Sequence, residues 1–135
     1  GMPPIKYFLD THILVWWLEN SPRLSIEQSR VLEEAEKNMP FGVSDITLAE
    51  IGCLVSTGRI ELSRDLKEWL SRATAEPLVR LCRITPAVVA EISHLPPQFQ
   101  KDPADRIITA TARLEKSILL TQDRRIIESG AVSTL

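Results

Sequence analysis

Short apolar runs alternate along the chain with longer stretches in which apolar residues recur at helical spacing. The short runs predict buried strands at residues 6–9, 41–44, 78–84 and 118–121, and a short last strand at 131–132. The longer stretches predict helices. Because strands alternate with helices, the pattern predicts a three-layer α/β/α sandwich around a mostly parallel sheet of four to five strands.

Capping residues mark where several of these helices begin. Ser25 followed by Gln28 predicts a capping box. Thr85 and Asp102 each stand as an N-cap before a proline, which is favoured at the first helical position.

The helix after Ser25 is expected to end at Asn38 and Pro40. For the helix that follows the second strand, the sequence leaves two caps open, Asp45 and Thr47. The apolar face of the helix after Ser25 is predicted to consist of Ile26, Val31, Leu32 and Ala35.

The composition is that of an ordinary globular chain. Hydrophobic residues make up 44% and charged residues 25% of 135 residues, which suits one domain at 2–135. Gly1 before Met2 is interpreted as a remnant of tag cleavage. No apolar run approaches the roughly 20 residues of a membrane helix, and we find no secretory signal, so a cytoplasmic location is expected.

The cysteines and histidines give no sign of zinc or of disulfides. Cys53 and Cys82 are far apart in sequence and belong to no CxxC pair, so we expect two buried, reduced thiols. His12 and His94 have no Cys or His neighbour at zinc-ligand spacing.

Four acidic residues stand where a predicted strand ends or a predicted helix begins. Asp10 closes the first strand, Glu50 lies in the helix after the second, Asp105 opens a late helix, and Asp123 follows the fourth strand. The carboxyl ends of parallel strands meet in one crevice, so we expect these carboxylates to converge there. Crowded carboxylates raise one another's pKa values unless a cation joins them. The pattern therefore points to a hard divalent metal and phosphate chemistry.

Helix capping explains most of these acids when each is taken alone. Asp10, Asp102 and Asp123 are favoured N-caps, and Asp105 in a first turn gains from the helix dipole. Glu50 is explained equally well by the solvent edge of an amphipathic helix. We assign Asp102 to capping alone. For the other four acids, the coincidence of their positions favours a shared site.

The net charge of −2 argues against a protein that binds nucleic acid through its overall positive charge. A polyanionic substrate would depend on bound metal and on local arginines. Arg106, Arg124 and Arg125 stand beside the acids, with solvated helix faces as the alternative for each. Arg106 or Arg124 is expected to steady a phosphate.

Trp16 and Trp17 lie on one short helix and cannot face the same way. We interpret them as core and interface residues rather than as a platform for base stacking. Thr11 and Thr121 are plausible hydrogen-bond partners of the acids, but we interpret them first as cap and strand residues.

Three motifs around the acids resemble the PIN-domain family. The segment LDTHILVWW at 9–17 is similar to the opening of PIN-domain proteins, DPADRII at 102–108 to their third acidic motif, and LTQD at 120–123 to the fourth. Glu50 falls where the second acid belongs. The resemblance covers the chain from about residue 5 onward, and the short form is most similar to VapC-like toxins of toxin–antitoxin pairs.

That resemblance implies a Mg²⁺- or Mn²⁺-dependent endoribonuclease, a homodimer, and inhibition by a cognate antitoxin protein. Asp10, Glu50, Asp105 and Asp123 would be its catalytic and metal-binding acids. We expect Asp10 and Asp105 to hold the metal most directly, with Asp123 and Glu50 completing the pocket. The RNA target is left open.

The chain departs from the family pattern near the second acid. Ala49 stands where many relatives have Trp, and Cys53-Leu54 where they often carry Lys, so no basic group is expected on that helix. Two other functions stay open: a catalytically silent interaction module whose acids only cap helices, and a housekeeping nuclease of RNA processing. A phosphoacceptor domain is disfavoured because no Lys follows Thr121, and a haloacid-dehalogenase-type phosphatase because His12 replaces its second Asp.

Overall fold

The computed structural model describes residues 2–35 and 39–135, and within them four strands form one sheet. The strands are β1 (Tyr7–Leu9), β2 (Phe41–Ser44), β3 (Val79–Cys82) and β4 (Ile118–Leu120). Their order is β3-β2-β1-β4, and every neighbouring pair is parallel. The predicted parallel sheet is confirmed, with four strands in the described residues.

Seven helices surround this sheet in the same part of the chain. The capping box of Ser25 and Gln28 is present, and Thr85 and Asp102 each cap a helix that begins with proline, as predicted. None of the helices in the described ranges is long and apolar enough to cross a membrane. The helices are α1 (Thr11–Leu18), α2 (Ile26–Glu33), α3 (Asp45–Ser56), α4 (Leu66–Ala73), α5 (Pro86–Ile92), α6 (Pro103–Leu114) and α7 (Arg124–Ser129).

Each face of the sheet carries its own hydrophobic core, because successive strand residues point to opposite faces. Leu9 therefore packs with α1 to α4, whereas Phe8 packs with α6 and α7. This confirms the three-layer α/β/α architecture. The first core consists of Leu9, Ile13, Leu14, Val15, Leu32, Phe41, Val43, Ile51, Trp69, Ala73, Val79 and Leu120. The second core consists of Ile5, Phe8, Leu95, Phe99, Ile108, Ala112, Leu119, Ile126 and Ala131.

The strand order determines where a ligand can bind. From β1 the chain passes to β2 and β3 on one side, and it returns to β4 on the other side of β1. Open parallel sheets bind ligands outside the carboxyl ends of their strands at such a switch point. Asp10 directly follows β1, and its backbone N–H donates to Leu120 O at the end of β4 at 3.0 Å. Asp10, the first of the acidic residues predicted from the sequence, thus lies at this crevice.

The end of α2 differs from the prediction. The helix ends at Glu33, earlier than predicted; Asn38 lies outside the described residues, and Pro40 is buried just before β2. Leu32 is buried as expected, but Ile26 is 79% exposed. Ile26 is the first helical residue, so its side chain projects into solvent beyond the end of the core.

The cap of α3 and the last predicted strand also differ. Ser44, rather than Asp45 or Thr47, caps α3, because it keeps the extended backbone of β2 and its Oγ accepts the Ile46 N–H at 3.2 Å. Residues 131–132 form no strand; the pairing with β4 comes later, where the Leu119 N–H donates to Ser133 O at 2.8 Å.

The two thiols are less buried than predicted. Cys53 is exposed and Cys82 is half-buried. Cys53 lies on the outer face of α3, whereas Thr47 and Ile51, one turn apart, point inward. Burial raises the pKa of the Cys82 thiol to about 11, so that thiol stays protonated at neutral pH.

Gly42 allows β1 and β2 to approach each other closely on the second face of the sheet. A Cβ atom at Gly42 would lie 2.7 Å from Phe8 Cε2 and 2.9 Å from Ile5 Cγ2. Phe8 and Ile5 are buried in the second core, so neither side chain can move into solvent.

We expect Gly42→Ala to lower the free energy of unfolding by about 1–3 kcal/mol, the usual cost of overpacking a core. Gly52→Ala is the matched control, because a Cβ there meets no atom within 4 Å and the residue lies inside α3. Alanine at that position should raise stability by up to about 1 kcal/mol. Urea unfolding of both variants tests this, and a Gly42→Ala protein as stable as the parent would refute the close packing.

Candidate active site

A cleft of about 610 Å³ opens at the carboxyl edge of the sheet, and all four predicted acids line it. Asp10 follows β1, Glu50 lies on α3, Asp105 lies on α6, and Asp123 precedes α7. Asp102 lines the cleft as well. The fold therefore brings together acids that are far apart in the sequence. The other residues lining the cleft are Thr11, His12, Ile13, Trp16, Arg23, Leu54, Arg59, Ile60, Gln122 and Arg125.

Asp10 is the most buried of the four acids, with 8% of its surface exposed. Its Oδ1 accepts the Thr11 N–H at 2.8 Å, and Thr121 Oγ1 donates to its Oδ2 at 2.7 Å. Burial raises the pKa of Asp10, while these two hydrogen bonds oppose the rise. Thr121 Oγ1 also accepts the Asp123 N–H at 3.0 Å, so one hydroxyl connects two of the acidic positions.

Glu50 is held in the cleft by threonine hydroxyls. Thr11 Oγ1 donates to Glu50 Oε1 at 2.5 Å and lies 3.1 Å from Thr47 Oγ1. Burial raises the pKa of Glu50, the Thr11 hydrogen bond opposes this, and the charges of Asp10 and Asp105 raise it further. Glu50 therefore points toward the other acids rather than away from them.

Asp105 and Asp123 share Gln100 as a hydrogen-bond donor and Arg125 as a neighbouring positive charge. Gln100 Nε2 donates to Asp105 Oδ2 at 3.0 Å and to Asp123 Oδ2 at 3.4 Å. A guanidinium nitrogen of Arg125 lies 3.4 Å from Asp123 Oδ2 and 3.9 Å from Asp105 Oδ2. The protein itself thus balances part of the charge of this pair.

Among the acids of the cleft, Asp105 shows the combined effect of burial and neighbouring carboxylates on a pKa most clearly. Burial raises the pKa of Asp105 to about 6, the Gln100 hydrogen bond opposes this, and the charges of Asp10, Asp102 and Asp123 add to the rise. Together with the raised pKa values of Asp10 and Glu50, this agrees with the expectation that the carboxylates oppose one another's ionisation.

Capping a helix and lining the cleft turn out to be compatible roles. Asp10, Asp102 and Asp123 each cap the helix that follows, and all three line the cleft. A cap residue stands at a helix N-terminus, and the helices α1, α6 and α7 begin at this edge of the sheet. The capping role predicted for Asp102 is confirmed, but its charge also acts on the shared cleft.

The donor set fits a hard divalent cation such as Mg²⁺ or Mn²⁺. Such cations prefer carboxylate oxygens, and burial, together with neighbouring carboxylates, raises the pKa values of Asp10, Glu50 and Asp105, which a bound cation would offset. Across residues 2–35 and 39–135, no three His, Cys, Asp or Glu side chains already converge at ligand spacing. The chemistry of the site therefore suits a cation, although its ligands are not preassembled.

The two arginines expected to steady a phosphate lie elsewhere. Arg106 donates through Nε to Gln100 O at 2.8 Å and through a second nitrogen to Phe99 O at 3.0 Å. Arg124 pairs with Glu128 at 3.3 Å, and both side chains are largely exposed. Neither arginine lines the cleft.

Polar residues of the site that sequence reasoning missed include Gln100, which donates to two of the acids, and Arg23 and Arg59, which line the cleft. Gln100 lies in a loop with no recognisable motif, while Arg23 and Arg59 lie in the segments that follow α1 and α3. No local pattern in the sequence distinguishes them from ordinary surface residues, because only the folded chain brings them to the acids. Arg125, which the sequence did single out, is the third arginine that lines the cleft.

The two tryptophans of α1 face different ways, as expected from their spacing. Trp17 packs edge-on to Phe41, with 5.2 Å between the ring centroids. Trp16 lines the cleft beside His12, with 5.7 Å between the ring centroids. One wall of the acidic cleft is therefore aromatic.

The sequence matches the PIN domain family over residues 7–131, and the chain belongs to that family. It is 37% identical over 118 residues to "Ribonuclease VapC22" of Mycobacterium tuberculosis (strain ATCC 25618 / H37Rv), a match that covers 87% of this chain and 87% of that protein.

Solved structures show the same fold at low sequence identity. VapBC2 from Rickettsia felis, bound to a DNA fragment from its promoter, matches with a TM-score of 0.72 and 17% identity over 97% of this chain and 98% of that chain. FitAcB from Neisseria gonorrhoeae gives 0.67 and 19%, over 96% of each chain. A toxin–antitoxin complex from Klebsiella pneumoniae gives 0.63 and 21%, over 96% of this chain and 97% of that chain.

We expect Asp105→Asn to stabilise the metal-free protein at neutral pH. Because the pKa of Asp105 rises from 3.8 to about 6 on folding, the folded state binds this proton more tightly than the unfolded chain does. The resulting stabilisation is complete below about pH 4 and is lost as the pH rises through about 6. A neutral Asn should therefore raise the free energy of unfolding at pH 7 by about 1–2 kcal/mol, after allowance for solvent screening.

Urea unfolding at pH 4 and pH 7 in the presence of a chelator tests this expectation. Asp65→Asn is the control, because Asp65 is an exposed N-cap of α4 that lies outside the cleft. An Asp105→Asn protein less stable than the parent at pH 7 would contradict the charge-crowding argument.

Proposed function

We propose that this protein is a divalent-metal-dependent endoribonuclease that hydrolyses RNA phosphodiester bonds, and that it is the toxin of a toxin–antitoxin pair. The observation that carries the proposal is the single cleft lined by Asp10, Glu50, Asp105 and Asp123. Membership of the PIN domain family and 37% identity to a protein named a ribonuclease support it.

In this proposal Asp10 and Asp105 hold Mg²⁺ or Mn²⁺ most directly, and Asp123 and Glu50 complete the ligand set. When bound, such an ion lowers the pKa of a coordinated water and offsets the charge that builds on the phosphate during in-line attack. All four groups are oxygen donors on separate elements of one cleft, which suits an ion that must also admit water and phosphate.

The chain's own residues keep the acids oriented before the substrate arrives. Thr121 fixes one oxygen of Asp10, and Thr11 fixes the other oxygen of Asp10 through its N–H and one oxygen of Glu50 through its hydroxyl. These hydrogen bonds limit how far Asp10 and Glu50 must turn to meet a cation.

Substrate attraction in this proposal comes from local cations. Arg23, Arg59 and Arg125 line the acidic cleft of a chain whose net charge is −2. A phosphate backbone would pair with these guanidinium groups, and binding should weaken as salt rises.

We also propose a cognate antitoxin protein as partner, a homodimer as the assembly, and the cytoplasm as the location. The antitoxin rests on the fold shared with a toxin–antitoxin complex and with the VapBC2 complex. The homodimer and the single domain at 2–135 rest on the family resemblance of the sequence.

We expect Asp10→Asn to reduce RNA cleavage by more than about 100-fold, the upper end of the loss seen when only a supporting residue of a metal site is changed. Asn is as good an N-cap as Asp, so α1 should stay intact. Cleavage of a mixed RNA substrate with Mg²⁺ or Mn²⁺ is measured for the parent and the variant.

The control is Asp65→Asn, which makes the same change at the N-cap of α4, outside the cleft. Its cleavage rate should equal that of the parent. Mn²⁺ should also raise the melting temperature of the parent and of Asp65→Asn, but not of Asp10→Asn, because a ligand that binds only the folded state stabilises it. Cleavage by Asp10→Asn at the parental rate would refute the assignment of Asp10, and a parent that neither cleaves RNA nor responds to Mn²⁺ would favour a silent interaction module.

A further inference from the structure

Gln100 contacts two of the acidic residues from the loop before α6. Its side-chain amide nitrogen donates to one oxygen of Asp105 at 3.0 Å and to one oxygen of Asp123 at 3.4 Å. A carboxamide NH₂ group carries two hydrogens, so a single Gln can serve two carboxylates at once. Gln100 is thus the neutral group that connects these two acids.

The backbone of Gln100 is fixed from outside the cleft. The Arg106 guanidinium donates to Gln100 O at 2.8 Å and to Phe99 O at 3.0 Å. Phe99 is 3% exposed, packs in the second core, and donates its N–H to Pro96 O at 2.9 Å. The loop before α6 therefore holds the Gln100 side chain toward the acids.

The hydrogen bonds of Gln100 leave a defined oxygen free. Gln100 contacts Oδ2 of both acids, and Oδ1 of Asp123 accepts the Arg125 N–H at 2.9 Å as a helix cap. Oδ1 of Asp105 accepts no hydrogen bond from the described residues. An Asp105 carboxylate held by one oxygen presents the other to the cleft.

We propose that Gln100 is a positioning residue for the divalent-cation site, and that Arg106 acts on the site through Gln100. The proposal rests on the metal-dependent function proposed above. Gln100 holds Asp105 and Asp123 side by side against their mutual repulsion, so that both carboxylates are oriented when the cation arrives. Arg106, next to the acid in sequence, supports the loop and does not contact substrate.

The physical reason is the cost of placing two like charges together. Without the shared donor, Asp105 would lose its only side-chain hydrogen bond from the described residues and could rotate toward solvent, whereas Asp123 would keep its contacts with Arg125. A cation would then have to reorient Asp105. Residues that support metal ligands in this way typically contribute about 10–100-fold to metal affinity.

The test measures Mn²⁺ affinity directly, by calorimetry and by the electron paramagnetic resonance signal of free Mn²⁺, with no RNA present. Gln100→Met keeps the length of the side chain but removes its donors, and we expect the Kd for Mn²⁺ to rise about 10–100-fold. Gln98→Met is the matched control, because Gln98 is an exposed glutamine of the same loop and, among the described residues, makes no hydrogen bond to Asp105 or Asp123. It should bind Mn²⁺ with the parental Kd.

A double-mutant cycle tests the part played by Arg106. Arg106→Lys keeps the positive charge but loses the planar group that spans two carbonyls. We expect it to weaken Mn²⁺ binding in the parent, and to have little further effect in a Gln100→Met background, because both residues act through one contact. Arg124→Lys, an exposed arginine paired with Glu128, is the control and should change nothing.

The outcomes separate the inference from the function on which it rests. A parent that binds Mn²⁺ while Gln100→Met binds it equally or more tightly overturns the positioning role. Independent, multiplicative effects of Gln100→Met and Arg106→Lys overturn the claim that Arg106 acts through Gln100. A folded parent that binds no Mn²⁺ overturns both the inference and the proposed metal dependence. Unchanged circular dichroism and melting temperature without metal establish that each variant is folded.

Discussion

The burial of several carboxylates at one edge of the sheet is the constraint on which the rest of the site depends. Burial and neighbouring charge raise the pKa values of Asp10, Glu50 and Asp105, so the folded chain holds these groups at a cost in stability. Threonine hydroxyls, the Gln100 amide and the Arg125 guanidinium offset part of that cost. A fold that only needed to be stable would not concentrate acids in this way, which is why the cluster points to function.

The architecture makes such a cluster easy to build. A parallel sheet places the ends of its strands, and the starts of the helices that follow, at one edge. A residue that caps a helix there also points its carboxylate into the common cleft, as Asp10, Asp102 and Asp123 do. The hydrophobic cores on the two faces of the sheet hold the strand ends and helix starts in their relative positions. The loop that carries Gln100 is tied to the second core by Phe99, so packing on one face supports geometry at the edge.

Strand bounds and helix caps were predicted correctly where they depend on residues that are close together in the sequence. The bounds of β2, the capping box at Ser25 and the proline that opens α6 all depend on residues within a few positions of each other. Predictions failed where distant packing decided the outcome. Ile26 looked like a core residue but lies at the end of its helix, and the pairing near the C-terminus falls at residues 133–135 because β4 sets its position.

The sequence by itself predicted that Asp10, Glu50, Asp105 and Asp123 lie in one cleft, since hydrophobic periodicity places them near strand ends and helix starts, and parallel strands end together. It assigned Asp102, which also lines the cleft, to capping alone. Only the tertiary structure decided what surrounds those acids. Arg23 and Arg59 line the cleft from separate loops, and Gln100 donates to Asp105 and Asp123 from a third, whereas Arg106, adjacent to an acid in sequence, turns away to hold a loop. The physical reason is that strand and helix periodicity fixes the direction of a side chain within an element, while the position of a loop depends on contacts with residues far away in the chain.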